Sequence, residues 1–231
     1  MATRKVFKVF IGVGHGGKDG GAVGNGMKEK DINLSIALYL CSELQRHGVS
    51  VAMSRVKDED DPASEEVKEC NAFAPEYAVD IHTNAGGGIG WEAIHSIYGG
   101  KGKILAANIE KEVVAMGQKS RGLKTRKNSS GKDYFGFIRQ TKCPAVILEC
   151  AFIDSADVAK IDTEKERKGF AIAYAKGILK TLGISYKPEA VEHDADYYAA
   201  IVKKKFGLSD STVDYLKAYK YSTDLLRKLA Q

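Results

Sequence analysis

Between Gly12 and Gly26 the chain is more than half glycine, and this stretch continues from a β-branched and aromatic run that begins at Val6. That density excludes helix and strand interiors, where glycine gives up the most conformational freedom. A buried strand, Val6–Val13, must therefore run into a loop that closes on something. Two phosphate-binding patterns fit this loop by letter. Gly12-Val13-Gly14-His15-Gly16-Gly17 has the G-x-G-x-x-G spacing, and Gly12 to Lys18 has G-x-x-x-x-G-K. Both patterns need a helix to open where the loop ends, so that its N-terminus meets the phosphate. Here glycines continue to Gly26 and the first helical pattern starts near Asp31. Asp19 also stands where a magnesium-binding Ser or Thr belongs. The context fails for nucleotide binding.

Beyond the loop, strand and helix patterns alternate. Asp31 can cap a helix running to about His47, with Ile32, Ile36, Leu40 and Leu44 on one face. Strand patterns follow at Val49–Ser54, Tyr77–His82, Trp91–Tyr98, Tyr134–Arg139 and Ala145–Phe152. Helical patterns cover a segment ending near Ala74, then about 102–117 and 163–182, with Gly183 as a stop. Such alternation predicts an α/β fold: a twisted, mostly parallel sheet with helices on both faces. After Pro188 only helical patterns occur, at Ala195–Phe206 and from a cap near Ser209 to Leu229. We expect one α/β domain over 1–186 and a small helical C-terminal unit over 187–231.

Composition narrows the function classes. With 231 residues, 44% hydrophobic and 28% charged, the chain is globular, neither disordered nor collagen-like. No apolar run approaches the ~18 residues of a membrane span. The basic start shows no secretory pattern, from which we expect a protein made in the cytoplasm. Cys41, Cys70, Cys143 and Cys150 lack paired spacing and read as reduced, mostly buried thiols. The net charge of +5 is unevenly placed. Residues 188–231 hold seven basic and seven acidic residues, so the excess lies before them. Lys119, Arg121, Lys124, Arg126, Lys127 and Lys132 form a run without an acid, a solvated loop or a contact for an anionic partner. An acidic stretch, 57–69, precedes the second helix.

One set of polar residues is chemically coherent. His15 lies past the end of the first strand, Glu29 before the first helix, and His82 and Glu149 at the ends of later strands. In an open α/β sheet, side chains at the carboxyl ends of strands can converge on a ligand. Two imidazoles and a carboxylate make a catalytic zinc set, with a fourth position left for water. A second carboxylate must then take a proton from water and deliver it to a leaving amine. Glu149 suits this role, since Val146-Ile147-Leu148 and Ala151-Phe152 give no reason to bury an idle charge. Read singly, each histidine is as well explained by packing or exposure at a strand end. His95, alternating with Trp91 and Ala93, reads as a sheet histidine, His47 as a helix-end cation and His193 as a solvated linker residue.

The motifs carry more than spacing. Val13-Gly14-His15-Gly16-Gly17-Lys18-Asp19-Gly20-Gly21-Ala22 with Glu29-Lys30-Asp31-Ile32-Asn33-Leu34 resembles the opening of the zinc-dependent N-acetylmuramoyl-L-alanine amidases. Asp80-Ile81-His82-Thr83-Asn84-Ala85 resembles their second histidine motif, and Arg139-Gln140-Thr141, Pro144-Ala145 and Ile147–Ile153 resemble their closing strand. The order holds over about residues 6–182. The resemblance implies one Zn2+ per chain ligated by His15, Glu29 and His82, with Glu149 as catalytic carboxylate. It implies hydrolysis of the amide between N-acetylmuramic acid and L-alanine in peptidoglycan. Asn84 and Arg139, beside these motifs, are expected to contact substrate. A zinc hydrolase cutting another wall peptide bond, or a wall-binding protein without activity, are the competing readings.

The chain also departs from that pattern. Cys150 stands where a small glycine is usual, and the acidic segment before Lys68–Ala72 lacks the arginine expected near it. No long insertion is present to form an autoinhibitory helix, so the site is expected to be open. The tail carries Tyr197, Tyr198, Tyr215, Tyr219 and Tyr221 on an apolar helical pattern, suited to a wall-binding module or a homodimer contact. A wall-cutting enzyme without a signal, released by lysis or through a holin-type pore, resembles a phage endolysin or else an amidase that acts when a spore-forming cell breaks open. Peptidoglycan, not nucleic acid, is the expected partner.

Overall fold

The computed structural model describes residues 5–189 and 194–230; His193 lies outside them. Two compact units appear, Met1–Tyr186 and Lys187–Gln231. In the first, β1 (Lys8–Val13) leads through the glycine loop and a two-strand ribbon, β2 (Val23–Gly24) with β3 (Met27–Lys28), into α1 (Glu29–Arg46). β4 (Ser50–Met53), α2 (Ala63–Phe73), β5 (Tyr77–Asn84), β6 (Trp91–His95), α3 (Gly100–Ala115) and β7 (Ser120–Lys124) follow. α4 (Gly136–Gln140), β8 (Ala145–Phe152), a 3-10 turn (Ala156–Lys160) and α5 (Glu164–Leu182) complete the unit. The six-stranded sheet has the order β4-β1-β5-β8-β6-β7, and only the β6–β8 pair is antiparallel.

Strand alternation sorts the side chains onto two faces. Val9, Ile11, Val79, Ile81, Val146, Leu148 and Cys150 point into the larger core, where Ile32, Ile36, Leu40 and Leu44 of α1 pack with α3 and α5. Phe10, Ala78, Ala145 and Ile147 point the other way, against Val67 and Cys70 of α2 and Phe137 and Ile138 of α4. Asp80, His82 and Glu149 fall on this second face by the same period of two. The smaller core leaves that end of the sheet open.

Several expectations needed correction. Tyr134–Arg139 is not a strand. Its backbone hydrogen bonding closes locally, Arg139 N to Phe135 O, and the segment turns into α4 with Phe137 and Ile138 in the smaller core. Asp31 does not cap α1, which starts at Glu29 with Lys28 at its N-cap. The first helical N–H groups instead meet loop carbonyls, Glu29 N to Ala22 O and Lys30 N to Gly20 O, so no side-chain cap is needed. The basic run holds an edge strand, β7, before it becomes loop. Among the described residues no helix is long and apolar enough to cross a membrane.

The second unit contains α6 (Ala195–Phe206), α7 (Asp210–Lys217) and α8 (Ser222–Ala230) around Ala199, Val202, Val213 and Leu226. Ser209 caps α7 by accepting from Thr212 N, and a turn at Tyr219–Ser222 divides what the pattern shows as one stretch.

Candidate active site

The glycine loop closes on the acidic stretch after β4. Asp58 Oδ1 accepts from Gly17 N at 2.8 Å and Asp60 Oδ1 from Lys18 N at 2.8 Å. Asp58 Oδ2 pairs with Lys30 Nζ at 2.7 Å. Buried Arg55 donates to the carbonyls of Val13 (3.1 Å) and Lys30 (2.7 Å), tying the end of β1 to the first turn of α1. These contacts bring His15 and Glu29 together. His15 itself adopts φ +64°, a left-handed backbone that a non-glycine residue reaches only when its surroundings impose it.

Glu29 is buried at the centre of the site. Its Oε2 is 3.3 Å from His15 Nε2 and its Oε1 is 3.0 Å from His82 Nδ1. Backbone donors hold the carboxylate in place, Ala22 N at 2.9 Å and Thr83 N at 3.0 Å. Asn33 Nδ2 braces Gly14 O at 3.0 Å, and Thr83 Oγ1 donates to Asn33 Oδ1 at 2.8 Å. The two imidazole rings meet edge to face, 5.2 Å apart at 81°. Each ring's remaining nitrogen faces a carboxylate: His15 Nδ1 and Asp19 Oδ2 at 2.8 Å, His82 Nε2 and Asp80 Oδ2 at 3.1 Å. Gly14 makes room for the second ring, since a Cβ there would lie 2.2 Å from His82 Cε1.

The electrostatics follow from this packing. Burial works to raise the Glu29 pKa, but hydrogen bonds from His15 and His82 outweigh it and leave it well below the usual carboxylate range. The hydrogen bond to Glu29 raises His15. Burial opposes charge on His82, yet Asp80 and Glu29 hold its pKa well above the ordinary value. The cluster thus favours positive charge between Glu29 and the two rings, supplied by protons when no metal is bound. His15, Glu29 and His82 offer ligand atoms that all lie within 4.8 Å of one another. Two imidazoles and one carboxylate, each imidazole backed by a second carboxylate, fit zinc with an open position.

Glu149 of β8 stands directly across the strand register from His82. It is half-buried and lines the same cavity of about 590 Å³ as His15, His82, Asp80, Glu66 and Phe137. Burial pushes its carboxyl up to about 7. Cys150 faces the opposite side, fully buried with its thiol 3.3 Å from Thr83 Oγ1, and burial raises it to about 12. That is a packing position, without thiolate reactivity.

Asn84 and Arg139 do not line the cavity. Asn84 Nδ2 donates to Glu92 Oε1 at 3.2 Å, and Arg139 Nη1 donates to the carbonyls of Asp133 and Tyr134 at 2.7 and 2.6 Å. The sequence assigned no role to Asp19, Asp80 or Glu66. The spacing Asp80-x-His82 on a strand carried a signal for one of them, because it places both side chains on one face. His95 is buried, its Nδ1 2.8 Å from Ser96 O, away from the site.

Comparison with known proteins bears on this geometry. The profile of the N-acetylmuramoyl-L-alanine amidase family matches residues 9–180. The sporulation-specific N-acetylmuramoyl-L-alanine amidase of Bacillus subtilis (strain 168) is 34% identical, over 74% of this chain and 66% of its own length. The endolysin of Bacillus phage SPP1 is 34% identical over 78% of this chain and 67% of its own. Among solved structures, Cwp6 from Clostridium difficile superposes with a TM-score of 0.75 at 34% identity, covering 77% of this chain and 30% of that one. The catalytic domain of CwlV from Bacillus (Paenibacillus) polymyxa gives 0.70 at 29% identity, over 78% of this chain and 100% of that domain.

Proposed function

This chain belongs to the N-acetylmuramoyl-L-alanine amidase family, and on that footing we propose that it cuts peptidoglycan between N-acetylmuramic acid and L-alanine, using one zinc ion. The observation that carries the reading is the convergence of His15, Glu29 and His82 on one point with Glu149 across the strand from it. His15 Nε2, Glu29 and His82 Nδ1 would hold the ion. Zinc in such a set supplies Lewis-acid chemistry, polarising a carbonyl and acidifying water.

The chain's own residues do the rest. Glu149, ionised near neutral pH, takes the proton of the attacking water. It then delivers that proton to the nitrogen of L-alanine as the amide bond breaks, which returns the carboxylate to its starting state. Ile147 and Phe137 line the cavity beside Glu149. Asp19 and the Ala22 and Thr83 amides hold the ligands' orientation while this happens.

Residues 1–186 form the catalytic domain in this reading. Residues 187–231, with Tyr215, Tyr219 and Tyr221 exposed on their surface, serve retention on the wall. The endolysin relative supports a role in lysis; the sporulation-specific relative makes a role in the sporulating cell the alternative. The test is digestion of purified walls with and without a chelator, followed by labelling of new amino termini. New termini on L-alanine, lost with chelator and restored by zinc, are expected. New termini on another residue would assign a different wall bond.

A further inference from the structure

Two buried carboxyl groups stand behind His82, and the hydrolysis just described does not use them. Asp80 precedes His82 by two residues on β5 and shares its face. Its Oδ2 meets Nε2 of the ring, while Nδ1 turns toward Glu29. Glu66 of α2 lies behind Asp80; the two residues are 5% and 4% exposed. Glu66 Oε1 and Asp80 Oδ1 are buried without a conventional donor. Both oxygens crowd the space above Gly12, where a Cβ would lie 2.0 and 2.8 Å from them. Gly12 is the register partner of Asp80 across β1 and β5, so the bare backbone there makes the cradle.

Two ionised carboxylates this close in a dry setting repel strongly and leave lone pairs unmatched. One proton removes both costs, because a protonated carboxyl becomes a donor to its neighbour. Asp80 faces an imidazole N–H and is the natural acceptor. Glu66 has no such neighbour, and burial together with the Asp80 charge raises its pKa well above the carboxylate range.

We propose that Glu66 and Asp80 are positioning residues for the metal site: Glu66 donates a hydrogen bond to Asp80, and Asp80 accepts Nε2–H of His82, fixing the tautomer that presents Nδ1 to the metal. The proposal rests on His82 being a ligand. It also explains why an acidic segment stands where the resemblance leads one to expect an arginine. A histidine ligand held through its second nitrogen loses less freedom on binding and is a stronger donor.

The test uses the full chain and reads zinc affinity by competition with a chromophoric chelator. Asp80→Ala and Glu66→Ala are expected to weaken zinc binding about 10- to 100-fold. Glu66→Gln keeps a donor that cannot ionise and is expected to stay within about threefold of the wild type. Thermal melts of the metal-free proteins identify variants that fail to fold. In the zinc-loaded wild type, nitrogen NMR should show the His82 proton on Nε2. Wild-type affinity in both alanine variants would overturn the proposal. So would a loss in Glu66→Gln equal to that in Glu66→Ala, which would mean the charge of Glu66 matters, as in a cation site. His82→Ala separates the two levels: unchanged zinc binding there refutes the ligand assignment, whereas loss there alone refutes only the positioning role.

Discussion

Glu149 sits between Leu148 and Cys150, which enter the larger core, and projects to the opposite face beside His82. Burial, helped by the nearby carboxylates of Glu29, Asp80 and Glu92, raises its carboxyl to about 7. The base form is the ionised one, so kcat/KM should rise tenfold per pH unit at acid pH and level off once Glu149 is deprotonated. A bound dication lowers that pKa, so the inflection should fall at or below pH 7. An inflection above pH 8 would exclude Glu149 as the base. Glu149→Ala should reduce turnover by at least about 100-fold while zinc content stays at one per chain; full activity would remove it from the mechanism. Gly14→Ala places a methyl group against the His82 ring, and the expected result is zinc affinity lowered by about tenfold or more in the chelator competition. The candidate ligand set was legible only as ordered motifs, because His15 stands in a glycine loop and Glu29 in a charged stretch, and neither marks a ligand when read singly. Asp80 was not, since its role depends on which face β5 turns toward α2. Glu66 was hidden in a charge run whose other members are exposed or half-buried, two of them bonded to the glycine loop.

At the scale of elements, the strands with two-sided apolar runs were readable, as was α1 from its four-residue spacing. The failures have a common cause. α4 is only five residues long, too short for a helical period, and its aromatic content imitates a strand. β7, Ser-Arg-Gly-Leu-Lys, lies on the sheet edge, where Arg121 and Lys124 guard an unpaired rim, so it carries no alternating apolar signal. Asp157 ties β7 to its better-marked neighbours. Its Oδ2 accepts from Gly90 N at 2.9 Å and Phe152 N at 3.0 Å, and its Oδ1 from Gln118 Nε2 at 3.2 Å. One buried carboxylate therefore fixes the start of β6, the approach to β7 and the end of β8. Asp157→Ala would orphan these donors, at about 1–3 kcal/mol for a buried unsatisfied group. A drop of at least about 2 kcal/mol in urea unfolding is expected, with the denaturant slope unchanged. A loss below about 0.5 kcal/mol would mean water replaces the carboxylate.

Across the whole molecule, charge and cores divide at the same place. The net +5 resides before residue 188, while the tail sums to zero. The first unit has cores on both faces of its sheet, and the second has its own small cluster about Val202 and Leu226. Every residue assigned to metal, proton transfer or ligand positioning lies between His15 and Glu149. Hydrolysis of a soluble muramyl-peptide should therefore need only the first unit, whereas action on an insoluble wall adds a retention step that exposed tyrosines can supply by stacking on sugars. A chain ending after Tyr186 should keep kcat/KM on the soluble substrate within about twofold of the full chain. The same protein should sediment less with purified walls and clear them more slowly. Equal sedimentation would return wall binding to the first unit and its basic run at 119–132, and raised salt would then release the protein. Loss of activity on the soluble substrate would instead make residues 187–231 part of the catalytic fold.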